Sequence, residues 1–322
     1  MNLDKNDSPY LYEMLTNGPK KNWKMKPWQG ILVFILLLIF FQMIGGFLYI
    51  YAGLGYYANG VAEMLFFFGG SLLTAKLMGF DLKEVFPLKL PNLPGICGTL
   101  LMWFGSYQCM TALILVAAAL FPQLYYSEGG SMNAFVTGFP FLGSVLVVAL
   151  VPAVSEEMLH RGILQYSLQS LKKKWLIITL MGVYFGVFHL SILRFLPMMF
   201  LGMVIAWLRQ ESGSLVYGIL FHFANNFYSL AVTFLSGQTS ETVSAQSYVI
   251  PLYMIGYYFL VAAAGPFLLY LGGWLVKRAV SGHRIQLFHG NRKEVIFMVA
   301  ATIVLAAVGL ILFFGGIIGY LQ

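Results

Sequence analysis

The sequence predicts an all-α fold, a polytopic transmembrane helical bundle of about nine spans, and three observations carry that expectation. Apolar residues make up 59% of the 322 residues and charged residues only 10%, where a soluble domain carries about a quarter charged. The apolar residues come in runs of about 20, the length that crosses a hydrocarbon core roughly 30 Å thick. Between those runs, the Lys and Arg residues segregate to one side. The runs lack the short alternation of a membrane barrel, so helices are the expected spans.

In chain order the expected spans are 29–50, 57–76, 94–121, 141–169, 174–191, 195–208, 213–236, 249–276 and 295–319. The polar N-terminal stretch lacks the basic, apolar, small-residue order of a cleavable signal, so the first span is expected to stay in the mature protein. If the spans alternate, 17 of the 19 Lys and Arg residues fall on one face. Arg194 stands opposite, and Arg161 lies within a span. The positive-inside rule then places the N-terminus in the cytoplasm and the C-terminus outside a cell membrane. The same segregation accounts for the net charge of +7 and implies no nucleic-acid partner. The partners expected are the lipid bilayer and a membrane-associated peptide or protein; the sequence does not indicate an oligomeric state.

The loops around Tyr125–Ser131 and Ser236–Tyr248 carry no Lys or Arg and have tyrosines at their edges, as an outer interface would. Asp81–Pro91 reads as a cytoplasmic linker. Residues 277–294 read as a basic, solvated cytoplasmic loop in which His283 and His289 need no special role. The chain thus divides into an N-terminal segment (1–28), a membrane core (29–276, with its motifs in 141–235), that basic loop and an additional C-terminal helix (295–322). Cys97 and Cys109 lie about 18 Å apart on one helix, cannot bridge each other there, and read as packing residues. Gly315, Gly316 and Gly319 are spaced to let helices approach closely.

Ionisable groups inside spans cost about 2.5–3.5 kcal/mol each on insertion scales and usually mark function. Glu63, near the outer edge of the second span, is explained by an interfacial position. The others cluster in Ser155-Glu156-Glu157-Met-Leu-His160-Arg161. Glu157 and Arg161, four apart, share a helix face and suit an ion pair. Glu156 points about 100° away and is free to face another helix, with His160 four residues on. His189 closes Phe185-Gly-Val-Phe-His189, and His222 and Asn226 lie one turn apart. Counted from Lys172, Lys174 and Arg209, the depths of Glu156, His189 and His222 are roughly 24, 22 and 20 Å. Three helices therefore bring polar groups to nearly one level.

A carboxylate is a general base for water, two imidazoles orient that water or hold a metal, and an amide donates to the oxyanion of a tetrahedral intermediate. Glu156 is accordingly the expected base, His189 and His222 the water-positioning groups, Asn226 the oxyanion donor, and Glu157–Arg161 a structural pair. Glu156, His189 and His222 are also a conceivable zinc set, with a metal-free glutamate–water mechanism preferred. No His-Glu-x-x-His helix, Gly-x-Gly-Asp or Gly-x-Ser-Gly is present to supply another intramembrane protease chemistry.

The ordered motifs Glu156-Glu157-Met-Leu-His-Arg161, Phe185-Gly-Val-Phe-His189 and His222-Phe-Ala-Asn-Asn226 resemble the CPBP family of intramembrane proteases. That family includes type II CAAX prenyl endopeptidases and bacteriocin-processing or immunity proteins. The resemblance covers roughly residues 141–235. It implies a helical protease core, Glu156 as the water-activating residue and a cavity reached from the cytoplasm or the membrane; the span after 276 looks additional to the family's usual eight. The expected function is an intramembrane endopeptidase. A catalytically silent scaffold or immunity protein, and a proton-coupled transporter, are the competing readings.

Overall fold

The computed structural model describes residues 25–236, 249–282, 285–288 and 292–321. Among these the structure is helical, without strands, and eight helices are long and apolar enough to cross a membrane. The chain is a multi-pass membrane protein. In order the helices are α1 (Pro27–Ile50), α2 (Tyr57–Leu77), α3 (Leu93–Leu120), α4 (Pro122–Thr137), α5 (Phe141–Leu171), α6 (Lys174–Phe188), α7 (Ile192–Ser212), α8 (Leu215–Leu235), α9 (Leu252–Ser281) and α10 (Arg292–Leu321).

Four elements depart from the sequence expectation. The predicted span 174–191 is the 15-residue α6, about 22 Å long at 1.5 Å per residue, which falls short of a full crossing. Its hairpin partner α7 runs longer than the predicted 195–208. The region expected to be a loop around Tyr125–Ser131 is the helix α4. Its Gly129-Gly130 pair and serines gave no apolar periodicity from which to read it. The loop placed at 277–294 is shorter than expected, because α9 continues through Lys277 and Arg278 to Ser281 and α10 starts at Arg292. Lys5, Lys20, Lys21, Lys24, His283, Arg284, His289 and most of the loop before Tyr248 lie outside the described residues.

α5 is the buried axis of the bundle. Pro152 within it cannot donate a backbone hydrogen bond, and the helix answers with a wide, i→i+5 segment at Val145–Leu150. A second wide segment, Met158–Leu164, follows Glu157, and a third, Glu63–Gly69, lies in α2. Such insertions are frequent at functional sites, and these three flank the same cluster of acids.

α6 and α7 form a tight hairpin. The turn between them is set by Leu190, whose φ of 49° is uncommon for a side chain of this kind and costs about 1–3 kcal/mol. α7 ends at Gly213 in the left-handed conformation, a common helix stop. Ser214 then caps α8 through the Val216 amide at 3.2 Å, and its hydroxyl donates to the Lys89 carbonyl at 2.7 Å. The Asp81–Pro91 linker is thereby pinned to the α7–α8 turn.

At the periphery α9 and α10 approach closely. A Cβ on Gly316 would lie 2.3 Å from the Tyr253 nitrogen, and one on Gly256 2.2 Å from that of Phe313. Of the three glycines singled out in the C-terminal segment, Gly316 makes the contact, whereas Gly315 and Gly319 face open space. Lys277 pairs with Glu294 at 3.2 Å and ties α10 to the end of α9. Both cysteines are free; Cys109 is partly buried, but Cys97 is exposed and does not pack in the core.

Candidate active site

Helix α5 carries the acids at its centre. Glu156 is 8% exposed, and Glu157, His160 and Arg161 are fully buried. Glu157 Oε1 accepts from Arg161 Nη1 at 2.9 Å and lies 3.1 Å from His222 Nδ1. Arg161 also donates to the Gly202 carbonyl at 3.1 Å and lies 4.7 Å from the centroid of the Phe185 ring. A buried guanidinium needs this many partners because desolvating it costs several kcal/mol. Glycine at 218 makes room for the acid, since a Cβ there would sit 2.8 Å from Glu157 Oε2.

His222 bridges the two acids. A carboxylate only accepts, so the ring donates from Nδ1 to Glu157 and, when neutral, presents Nε2 as an acceptor. That Nε2 lies 3.9 Å from Glu156 Oε2. Glu156 Oε2 is buried and has no hydrogen-bond partner, as is also true of Glu157 Oε2; of the two, the Glu156 oxygen is the one on the residue expected to act as base.

The remaining residues assemble around Phe185. His160, His222 and His189 each meet its ring edge-on, with centroids 5.1, 5.7 and 4.9 Å away. His160 donates from Nδ1 to the Glu156 carbonyl at 2.8 Å and otherwise sits among phenylalanines; it supports the backbone of Glu156, not its carboxylate. His189 donates from Nδ1 to the Phe185 carbonyl at 2.8 Å. Asn226 donates to the Val148 carbonyl at 3.3 Å and accepts from Asn225 at 3.3 Å.

His189 lines a cavity of about 400 Å³. Its other walls are the Leu190–Arg194 turn and the α4 residues Ser127, Glu128, Ser131, Met132 and Phe135. Glu128 holds that turn, accepting from the Ser191 hydroxyl at 2.7 Å and pairing with Arg194 at 3.3 Å. By topology this opening lies at the opposite end of the bundle from the Asp81–Pro91 linker, because α4 joins the end of α3 to the start of α5.

Among the described residues no three His, Cys, Asp or Glu side chains gather as metal ligands. Glu156, His189 and His222 therefore do not fit a zinc centre in this arrangement.

The structure also corrects the interfacial reading of Glu63. Only 4% of this residue is exposed, because α1 and α5 cover the start of α2. Glu63 Oε1 accepts from Asn59 at 2.6 Å and Oε2 lies 3.3 Å from the hydroxyl of Ser155, the neighbour of Glu156. The sequence held one signal for it, a polar residue four positions earlier on the same helix face.

Residues 137–228 match the family model of Rce1-like type II CAAX prenyl endopeptidases. This segment is an Rce1-like domain. The match covers under a third of the chain and supports its likeness to the CPBP intramembrane proteases. The Rce1-like domain runs from the end of α4 into α8 and contains Glu156, Glu157, Arg161, His189, His222 and Asn226. Glu63 lies outside it. No curated protein and no solved structure matches the chain.

Proposed function

We propose that this protein is an intramembrane endopeptidase that hydrolyses peptide bonds of membrane-associated peptides or proteins through a water activated by Glu156. The observation that carries the proposal is the open Glu156 Oε2, buried and 3.9 Å from His222 Nε2, within an Rce1-like domain. A water contacting both groups loses its proton to Glu156 and attacks the scissile carbonyl carbon. Glu156 then delivers that proton to the departing amine, so that the carboxylate is regenerated. Glu157 fixes the His222 ring through Nδ1, and His189 orients the peptide or the water from the cavity side. Asn226 donates to the developing oxyanion, a contribution of about 3–4 kcal/mol in comparable sites. Its amide must turn from the Val148 carbonyl to do so.

The substrate class follows from location. The acids sit inside the bundle, so a substrate reaches them from the bilayer or through the cavity beside His189. With the N-terminus cytoplasmic and the C-terminus outside, as the basic residues favour, that cavity opens on the outer face. Reporter fusions at the two termini test this orientation, and an outer N-terminus would overturn it.

The activity is tested by comparing membrane and secreted peptide termini from cells carrying wild-type protein or Glu156→Gln at matched expression. The expected result is a set of termini that disappears with the variant. Processing retained by a well-folded Glu156→Gln protein would sink the mechanism.

A further inference from the structure

Arg194 stands apart from every other base in the chain. By the alternation of spans, 17 of the 19 Lys and Arg residues belong to the opposite end of the bundle, and Arg161 is enclosed within α5. A lone cation placed against that segregation calls for a local reason. Its surroundings supply one. Arg194 lines the same cavity of about 400 Å³ as His189, together with Ser127, Glu128 and Ser131 of α4.

The guanidinium is only partly used. Its Nε pairs with Glu128 Oε2 at 3.3 Å, and the two Glu128 oxygens lie 2.8 and 2.7 Å from the Ser191 hydroxyl. A guanidinium has five N–H donors, and the four on Nη1 and Nη2 have no acceptor among the described residues. The side chain is 29% exposed, so those donors can be met by a ligand without unpacking the core. Two parallel N–H groups match the two oxygens of a carboxylate, a fork that a simple ion pair does not require. Glu128 opposes a second carboxylate with its own charge, but that charge is already matched by Arg194 Nε and the Ser191 hydroxyl.

We propose that Arg194 is a specificity-determining residue: it holds a carboxylate of the peptide seated beside His189. That carboxylate is the free C-terminus of the peptide or an acidic side chain, since both present the same pair of oxygens. The proposal rests on the endopeptidase reading and names a feature of the substrate that this reading leaves open.

The test uses the full-length protein in lipid vesicles and a synthetic peptide spanning a terminus that Glu156→Gln abolishes. The peptide is made with its carboxylates intact, as the C-terminal amide, and with Asp and Glu replaced by Asn and Gln. On the wild-type protein at least one amide form is expected to show KM raised roughly tenfold at similar kcat, the mark of lost substrate binding. The form that loses affinity identifies the source of the carboxylate. Arg194→Gln is expected to abolish the preference, bringing the KM values of the forms within about twofold of one another. Glu128→Gln keeps an acceptor for Ser191 and Arg194 but removes the opposing charge, and is expected to lower KM for the intact peptide. Equal KM values for all forms on the wild-type protein overturn the proposal, as does a preference that persists in Arg194→Gln. It is also overturned if Glu128→Gln raises KM as Arg194→Gln does, which would make the pair a brace for the α6–α7 turn. If Arg194→Gln does not accumulate, Arg194→Lys is read instead; it keeps the charge without the fork, and an undiminished preference overturns the proposal. A failure of the endopeptidase reading is seen separately, as the absence of any terminus that depends on Glu156.

Discussion

Helices α5 and α10 are nearly equal in length, 31 and 30 residues, and each is apolar enough to span a bilayer, yet they do opposite work. Over half of the most apolar window of α5 is buried within the protein, against 6% for α10. The more apolar helix is the one that faces lipid, and the helix with two glutamates, a histidine and an arginine is the one enclosed. In water the ordering would be reversed. In a bilayer, lipid tails already solvate apolar side chains, so there is little gain in hiding them, whereas charged groups must be withdrawn from lipid and matched with partners. Burial in this protein therefore tracks polarity, and polarity tracks the candidate chemistry.

That contrast is open to direct attack. The largest effect is expected at the Glu157–Arg161 pair. Glu157→Gln leaves the Arg161 guanidinium fully buried without its charge partner, and should lower stability by about 3–5 kcal/mol, read as a fall in the detergent melting temperature. A variant of normal stability would show that Arg161 is held by the Gly202 carbonyl and Phe185 alone. Next comes Gly316→Leu, which drives a side chain into the Tyr253 backbone and should cost about 1–3 kcal/mol by overpacking. Processing that depends on Glu156 should survive this change, because α10 lies away from the site; loss of processing would make α10 part of the working unit. The smallest effect is expected from Ile311→Ala on the outer face of α10, where the side chain is 71% exposed. It should shift stability by no more than about 0.5 kcal/mol. A larger shift would mean that this face packs against another protein.

Much of the fold was legible because a bilayer imposes a length on each apolar run. The starts of α1, α2, α3 and α5 fall within two residues of expectation. The exceptions are instructive. The apolar run 174–191 reads as a complete span, although the chain turns back after His189 through the left-handed Leu190. α4 went unread because its helix rests on contacts such as the Phe135–Tyr56 ring pair at 5.5 Å and on the Glu128–Arg194 bridge, not on its own apolar pattern. At the candidate site, the spacing Glu157–Arg161 pointed to a partnership that the geometry contains. The bridging position of His222 between Glu156 and Glu157 was not legible, since sequence depth places residues at one level without saying which way they point. Nor did spacing foresee that the Asn226 amide rests on the Val148 carbonyl.

The amino-acid sequence by itself determined that the chain is a helical membrane protein and which of its helices carry ionisable residues, because hydropathy, charge segregation and i,i+4 spacing are properties of local segments. It also carried the ordered motifs that mark the Rce1-like domain. Tertiary structure alone decided that Glu63 meets Ser155, the neighbour of Glu156, that Phe185 is the ring around which three histidines and an arginine gather, and that the opening beside His189 is roofed by α4. Those facts depend on which faces of separate helices meet. The burial of a side chain is set by the helices packed over it, and a run of residues does not encode its neighbours in isolation.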